Sequence, residues 1–142
     1  MQLRTEIEID AEPDQVWRVL VGFAEYAEWN PYLKSVEGSL TEGASLTLTL
    51  TSTDGSERRQ RATLLKVEAP RCLRYRSKFL LRRLFDGEHY FDLSAIEGGR
   101  TRLVQGEDLS GALVQHMGPR LTAMTRGFVG MNEALKKRVE RG

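Results

Sequence analysis

The short connections between successive apolar segments are the strongest constraint on how this chain folds. From Val36 onward, turn-forming pairs separate segments of strand length, and these pairs are Glu42-Gly43, Asp54-Gly55, Ala69-Pro70, Asp86-Gly87 and Gly98-Gly99. Connections this short permit hairpins, whereas a parallel crossover needs a dozen or more residues. The sequence therefore predicts six consecutive strands that form an antiparallel meander.

Alternation of residue types predicts that the sheet buries only one of its faces. Leu46, Leu48 and Leu50 alternate with threonines, and apolar residues at 73, 75 and 79 alternate with Arg74, Arg76 and Lys78. Residues 2–10 alternate in the same way and add a strand before the meander. The basic residues at 74, 76 and 78 are interpreted as part of a solvated outer face, with attraction of an anionic partner as the alternative.

Helical periodicity is found on both sides of the predicted meander. Pro13 and the apolar residues after it predict a short helix, and an aromatic cluster that stops at Asn30-Pro31 predicts a second one. From residue 119 to 140, apolar residues recur at steps of three and four, which predicts a long amphipathic helix that can cover the sheet. Gly127 and Gly130 fall inside it, where each glycine costs roughly 1 kcal/mol relative to alanine. Close backbone approach or room for a ligand would explain these glycines, and the alternative is that a helix held by packing tolerates them.

Composition narrows the class of protein more than it identifies a function. The 142 residues suit one domain, 1–142, and 21 basic against 20 acidic side chains give a net charge of only +1, unlike a nucleic-acid binder. The apolar runs are too short for a membrane span of ~20 residues, and the N-terminus lacks a signal segment, so a cytoplasmic location is expected. The single cysteine and the positions of His89 and His116 fit no metal motif, and no nucleotide-binding motif is present. We therefore expect neither a metal nor a cofactor.

Six sequence blocks, in order along the whole chain, carry a resemblance to a known superfamily. They are AEPDQVW at 11–17, YAEWNP at 26–31, GEHYF at 87–91, GGRT at 98–101, EDLSG at 107–111 and MNEALK at 131–136. Together they resemble the polyketide cyclase/dehydrase and lipid-transport proteins of the START-like (SRPBCC), birch-pollen-allergen-like superfamily. The resemblance implies an α+β helix-grip fold, in which a seven-stranded antiparallel sheet wraps around a long C-terminal helix and two short helices follow the first strand. It also implies a cavity for apolar small molecules, but no single reaction.

Inward-facing positions of this fold are the candidate lining of the cavity. Strand parity and helical spacing select a mainly apolar set, with plain hydrophobic core as the alternative for each member. The resemblance also places the second short helix at the cavity mouth. The predicted cavity residues are Trp29, Asn30, Tyr32, Leu48, Leu50, Tyr75, Phe79, Phe91, Met124, Phe128 and Met131.

His89 and Glu107 are the candidate catalytic residues. His89 shares strand parity with Phe91, and Glu107 on the next strand shares parity with Leu103 and Gln105. If both face the interior, an imidazole and a carboxylate could transfer a proton or bind a ligand carbonyl or hydroxyl. The alternative is structural: a histidine bonded to its neighbours and a glutamate paired with an arginine.

Three functions are compatible with the sequence. The leading hypothesis is a non-catalytic protein that binds, transports or sequesters a hydrophobic or aromatic small molecule. The first alternative is a polyketide cyclase/dehydratase-like enzyme that uses His89 and Glu107 as acid-base groups. The second is a protein-interaction module with a filled core and no ligand. Either a monomer or a homodimer is expected.

Overall fold

The computed structural model describes residues 1–52, 54–77 and 85–141. Strand β1 (Gln2–Ile9) is followed by helix α1 (Pro13–Leu20), a 3₁₀ turn (Phe23–Glu25) and helix α2 (Tyr26–Trp29). The chain then forms strands β2 (Leu33–Glu37), β3 (Ser45–Thr51), β4 (Glu57–Glu68), β5 (Cys72–Ser77), β6 (Asp86–Ile96) and β7 (Arg100–Ser110). A second 3₁₀ turn (Val114–His116) leads into helix α3 (Gly118–Glu140).

The seven strands form one antiparallel sheet in the order β1-β7-β6-β5-β4-β3-β2. Strands β2 to β7 form the predicted meander, and β1 pairs with β7 at the far edge. Helix α3 packs mainly on β1 and also contacts β7 and α1. The α+β helix-grip architecture is therefore confirmed.

One face of the sheet is buried and the other is solvated, as the alternation predicts. Leu46, Leu48 and Leu73 are almost completely buried on the concave face. On the convex face, an Arg74 Nη1 lies 2.9 Å from Glu88 Oε1. The outer-face interpretation is correct for the described basic residues of β5, while Lys78 lies outside the described residues.

The two short helices are fixed by local hydrogen bonds and by aromatic packing. Helix α1 begins at Pro13, and the Glu12 backbone N–H donates to Gln15 Oε1 at 3.0 Å across its first turn. The Tyr26 hydroxyl donates to the carbonyl of Leu20 and so joins α2 to the end of α1. Because the Tyr26 ring is buried edge-on to Trp29, with centroids 5.2 Å apart, this segment forms a rigid corner before β2.

The glycines of two predicted turns, Gly98-Gly99 and Asp86-Gly87, have different roles in the structure. Gly98 and Gly99 have φ angles of +83° and +69° and form the turn between β6 and β7, where glycine avoids a steric penalty. The Asp86-Gly87 pair does not form a turn, because β6 already begins at Asp86. A Cβ at Gly87 would lie 2.5 Å from a carboxylate oxygen of Glu107, so this glycine provides space inside the sheet.

The two glycines of α3 also differ. A Cβ at Gly127 would lie 2.5 Å from Cδ1 of Tyr32, so the Tyr32 ring packs directly on the helix backbone. The same addition at Gly130 would meet only Pro31 Cγ, at 3.9 Å. Close backbone approach therefore explains the glycine at position 127. At position 130 the described surroundings leave room for a side chain.

Candidate functional site

A cavity of about 440 Å³ lies between the concave face of the sheet and the first turns of α3. This volume falls in the range of about 300–1,000 Å³ that is typical of small-molecule sites. Strands β3 to β7 supply one wall, and the second 3₁₀ turn (Val114–His116) and α3 supply the other. The lining comprises Tyr32, Leu48, Leu50, Arg58, Arg59, Gln60, Tyr75, Ser77, Phe85, His89, Glu107, Leu113, His116, Met117, Arg120 and Met124.

The predicted acid-base pair lies in the wall of this cavity. His89 on β6 and Glu107 on β7 are direct cross-strand partners, so their side chains share the concave face. They are 1% and 5% exposed, respectively, and His89 Nδ1 lies 2.9 Å from Glu107 Oε1. The two residues that strand parity selected are thus in hydrogen-bond contact.

Aromatic rings fix the plane of the His89 imidazole. The Tyr75 ring stacks on it with centroids 5.1 Å apart and an interplanar angle of 18°. The Phe128 ring meets it edge-on, with centroids 4.7 Å apart. Because the ring is held on two sides, its nitrogens point in fixed directions.

A buried polar network determines which nitrogen of His89 carries a hydrogen. The carbonyl of Phe128 can only accept, so the atom of Gln105 that faces it at 3.3 Å is the amide nitrogen Nε2. The other amide atom, Oε1, therefore faces His89 Nε2 at 3.0 Å. Since an amide oxygen only accepts, His89 Nε2 must carry a hydrogen.

Asn132 and Thr5 confirm this orientation of the Gln105 amide. The Thr5 hydroxyl donates to the backbone carbonyl of Gln105 at 2.7 Å and accepts from Asn132 Nδ2 at 2.8 Å. Asn132 Oδ1 is then left to accept from Gln105 Nε2, at 2.6 Å. Donors and acceptors agree throughout the cycle, so the network has one consistent arrangement.

The same geometry leaves one proton to be shared between His89 and Glu107. Their contact needs a single hydrogen, which lies on His89 Nδ1 or on the Glu107 carboxyl. In the first case the pair is an imidazolium with a carboxylate, and in the second both groups are neutral. The pair has no net charge in either case, which suits its burial.

Two tyrosine hydroxyls belong to the same wall. Burial raises the pKa of Tyr75 well above its usual value, and the negative charges of neighbouring groups, including Glu107, raise it further. Burial also raises the pKa of Tyr32, with Glu107 adding to this effect and Arg58 opposing it. Both hydroxyls therefore stay protonated at neutral pH and can donate hydrogen bonds into the cavity.

Arginines lie at the mouth of the cavity. Arg58 on β4 is the cross-strand partner of Leu50, so it occupies a concave-face position. Arg120 lies in the first turn of α3 and approaches the same opening from the helix side. Arg59 also contributes to the lining. These residues could not be identified from the sequence, because an arginine at a cavity mouth follows the same sequence pattern as an arginine on a solvated face.

The structure brings together about half of the predicted cavity residues. Tyr32, Leu48, Leu50, Tyr75 and Met124 line the cavity with the predicted pair. Phe79 lies outside the described residues. The remaining predicted residues, which are absent from the lining, are Trp29, Asn30, Phe91, Phe128 and Met131.

The structure places these five residues in the buried interior and in the corner before β2. Phe91, Phe128 and Met131 are at most 1% exposed and pack in the hydrophobic interior outside the cavity lining. Asn30 Oδ1 accepts from the backbone N–H of Tyr32 and of Leu33, at 3.0 and 2.9 Å, so it shapes the corner before β2. Trp29 Nε1 and Asn30 Nδ2 are buried without a partner among the described residues, and neither lies at the mouth.

Two further observations concern metals and membranes. Within residues 1–52, 54–77 and 85–141, no group of three histidine, cysteine, aspartate or glutamate side chains could hold a metal ion. No helix in the described part of the chain is long and apolar enough to cross a membrane.

Comparisons with known proteins agree with this architecture. The family model described as polyketide cyclase / dehydrase and lipid transport matches residues 1–140. No curated protein has a matching sequence. Among solved structures, the Zhui aromatase/cyclase from Streptomyces sp. R1128 is similar with a TM-score of 0.81 and 18% identity, over 99% of this chain and 94% of that chain.

Two other solved structures have the same fold. A protein from Nitrosomonas europaea has a TM-score of 0.79 and 13% identity, over 99% of this chain and 95% of its own. A protein from Arthrobacter aurescens has a TM-score of 0.78 and 20% identity, over 99% of this chain and 87% of its own. At these identities the likeness is one of fold.

Proposed function

Because the chain belongs to the polyketide cyclase/dehydrase and lipid-transport family, we propose that it binds a hydrophobic or aromatic small molecule between the sheet and α3. One observation carries this proposal: a cavity of about 440 Å³ is lined by apolar and aromatic side chains together with polar groups, among them the buried, hydrogen-bonded His89–Glu107 pair. Apolar walls drive burial of a ligand, and a few polar groups fix its orientation. A module without a ligand would be expected to fill this space with side chains.

The polar groups of the cavity suit a ligand with a carbonyl or hydroxyl group on an apolar body. Leu48, Leu50 and Met124 provide the apolar contacts, and methionine adapts well to ligands of different shape. The hydroxyls of Tyr32 and Tyr75 have no hydrogen-bond partner among the residues that the structure describes, so both are available to a ligand oxygen. A carbonyl or hydroxyl oxygen of a ligand can accept a hydrogen bond from either of them.

A cyclase/dehydratase-like activity is the second candidate, and the proton shared by His89 and Glu107 favours it. Gln105 holds His89 in one tautomer, so proton transfer within the pair is confined to the Nδ1–carboxyl contact. The Glu107 carboxylate could remove a proton from a substrate and, as the resulting carboxylic acid, return it to a departing hydroxyl, with His89 bonded beside it. This role requires a bound substrate that reaches Glu107, so it depends on the binding function.

Ligand retention and thermal stabilisation test the binding function. The purified protein is denatured and extracted for mass spectrometry, and its melting temperature is measured with fatty acids, sterols, flavonoids and aromatic polyketides. A compound that binds the native state raises the melting temperature by mass action. If no compound is retained and none raises the melting temperature, the proposal is wrong.

A matched pair of variants assigns the binding to the cavity. Ser77→Phe places a large ring in the cavity, because Ser77 is buried and belongs to the lining. Thr47→Phe adds the same ring on the other face of β3, since Thr47 alternates with the inward-facing Leu46 and Leu48. We expect Ser77→Phe to abolish the thermal shift and Thr47→Phe to retain it. Equal shifts in both variants would place the ligand elsewhere.

The catalytic alternative is tested on any compound that the screen identifies. Glu107→Gln keeps the size of the side chain but removes its ability to accept a proton as a carboxylate. If the pair is catalytic, this variant retains binding and loses turnover by about 10²–10⁴-fold. Unchanged turnover would remove His89 and Glu107 from the mechanism.

A further inference from the structure

The concave face of β4 changes from apolar to charged towards the cavity mouth. Its successive inward positions are Ala62, Gln60 and Arg58, which face the leucines of β3 in register. Ala62 is fully buried, whereas Arg58 is exposed. An arginine in a row of inward positions places its stem along the cavity wall and its guanidinium at the opening.

Arg120 lies across the same opening. It is exposed in the first turn of α3 and lines both the cavity and an adjoining groove of about 320 Å³. Arg58 lines the same two spaces, and so do Tyr32, Leu50 and Met124. The side chains of Arg58 and Arg120 therefore border both the cavity and the adjoining groove.

Neither arginine is neutralised by the protein in the described part of the chain. No carboxylate lies within 4.0 Å of Arg58 or Arg120, whereas sheet arginines such as Arg74 and Arg100 are paired. The residues outside the described ranges include no aspartate or glutamate. Asp54 of the groove instead accepts hydrogen bonds from Ser56.

Among the described residues, the inner end of the cavity offers no comparable unpaired cation. Both ring nitrogens of His89 are already bonded, one to Glu107 and one to Gln105, so His89 has no free donor for an anion. An anionic group therefore finds unpaired cations at the mouth, whereas the pair at the inner end has no net charge and His89 has no free donor to offer.

We propose that the ligand carries a carboxylate on its apolar body, and that Arg58 and Arg120 bind this carboxylate at the mouth. The planar guanidinium group matches the two oxygens of a carboxylate, and the apolar body fills the cavity. This assignment rests on the proposed function and narrows its ligand class to amphiphilic carboxylates.

Matched acids and amides test the assignment. Dissociation constants are measured by calorimetry for dodecanoate against dodecanamide, and for 2-naphthoate against 2-naphthamide. Each amide keeps the apolar body and one carbonyl but lacks the negative charge. Because the mouth is exposed and screened by salt, we expect each acid to bind roughly 5–10-fold more tightly at low ionic strength.

Three variants assign the preference to specific side chains. Arg58→Gln and Arg120→Gln should each reduce the acid-over-amide preference by about threefold or more and leave amide affinity within about twofold. Arg61→Gln is the control, because Arg61 is an exposed arginine of the same strand, outside the cavity lining. It should retain the preference of the unmodified protein. Unchanged melting temperatures of the free variants show that each one folds.

The possible outcomes separate this assignment from the proposed function. An acid preference that is lost in the Arg58 and Arg120 variants and kept in the Arg61 variant supports both. Equal affinities for acid and amide, or a preference that survives both substitutions, overturn the carboxylate assignment while binding in the cavity stands. Failure of all four compounds to bind, together with a negative ligand screen, overturns the proposed function itself.

Discussion

Gly127→Ala provides a stringent test of the packing described here, because helix propensity and steric contact predict opposite results. Alanine is favoured over glycine in a helix interior by about 1 kcal/mol. The new Cβ, however, would lie 2.5 and 2.6 Å from two ring carbons of Tyr32, about 1 Å inside normal contact. Gly130→Ala is the matched control, since its Cβ would meet only one atom, at 3.9 Å.

The expected magnitudes follow from these distances. Overpacking costs about 1–3 kcal/mol, so Gly127→Ala should lower the free energy of unfolding by about 0–2 kcal/mol after the gain in propensity. Gly130→Ala should raise it by about 1 kcal/mol, or about 3–5 °C in melting temperature.

Urea denaturation and thermal melting measure both effects, and a double variant identifies the cause. When Tyr32→Ala removes the ring, Gly127→Ala should become stabilising by about 1 kcal/mol. If Gly127→Ala raises the melting temperature of the unmodified protein as much as Gly130→Ala does, the Tyr32 ring does not oppose a Cβ at position 127.

Three further predictions concern the wall of the cavity. Gln105→Leu should lower the free energy of unfolding by about 2–3 kcal/mol in urea titrations, because it leaves the buried His89 Nε2–H unpaired; a loss below about 0.5 kcal/mol contradicts the network. Gly87→Ala should displace the Glu107 carboxylate and shift the ¹⁵N resonance of His89 Nδ1, and an unchanged resonance argues against this contact. Burial raises the pKa of Tyr75, so the folded state keeps this proton after the unfolded state has lost it, and stability falls as the pH rises above about 10. Tyr75→Phe should reduce that alkaline loss in melting experiments between pH about 9 and 11, and an identical loss would show that Tyr75 contributes nothing to it.

The fold and the central pair could be predicted because both depend on local patterns. Short turns force neighbouring strands to be antiparallel, and parity then determines which side chains share a face. His89 and Glu107 were selected on parity alone, and their direct pairing follows from the tight Gly98-Gly99 turn that sets the register. Resemblance to the helix-grip superfamily supplied the position of α3, which strand patterns do not determine.

The boundary between cavity and core could not be predicted, because inward parity is the same for both. Phe91 and Leu48 both face inward, yet only Leu48 reaches the open space. This difference depends on how far α3 lies from each strand, which is a property of tertiary packing. Tertiary packing also determines that residues of the turn before α3, such as Met117, line the cavity.

Two polar features of the site, the inward position of Arg58 and the Gln105–Asn132 contact, could not be predicted from the sequence for different reasons. Arg58 falls in a basic stretch, and its inward position becomes evident only when β4 is aligned with Leu50 of β3. The contact between Gln105 and Asn132 joins β7 to α3 across 27 residues, so no local pattern reports it. Register and long-range contacts are the information that the single sequence lacked.

Methionine methyl resonances test the central claim, namely that an apolar molecule occupies this cavity, most directly. The chain has four methionines, of which Met117 and Met124 line the cavity, Met131 is buried in the core and Met1 lies at the edge strand. Titration of the ¹³C-methyl-labelled protein with 2-naphthoate should shift the Met117 and Met124 signals and leave those of Met131 and Met1 in place. Two results would contradict the account. One is a saturable shift of only the Met1 or Met131 signal, and the other is no shift of any methionine signal with either 2-naphthoate or dodecanoate.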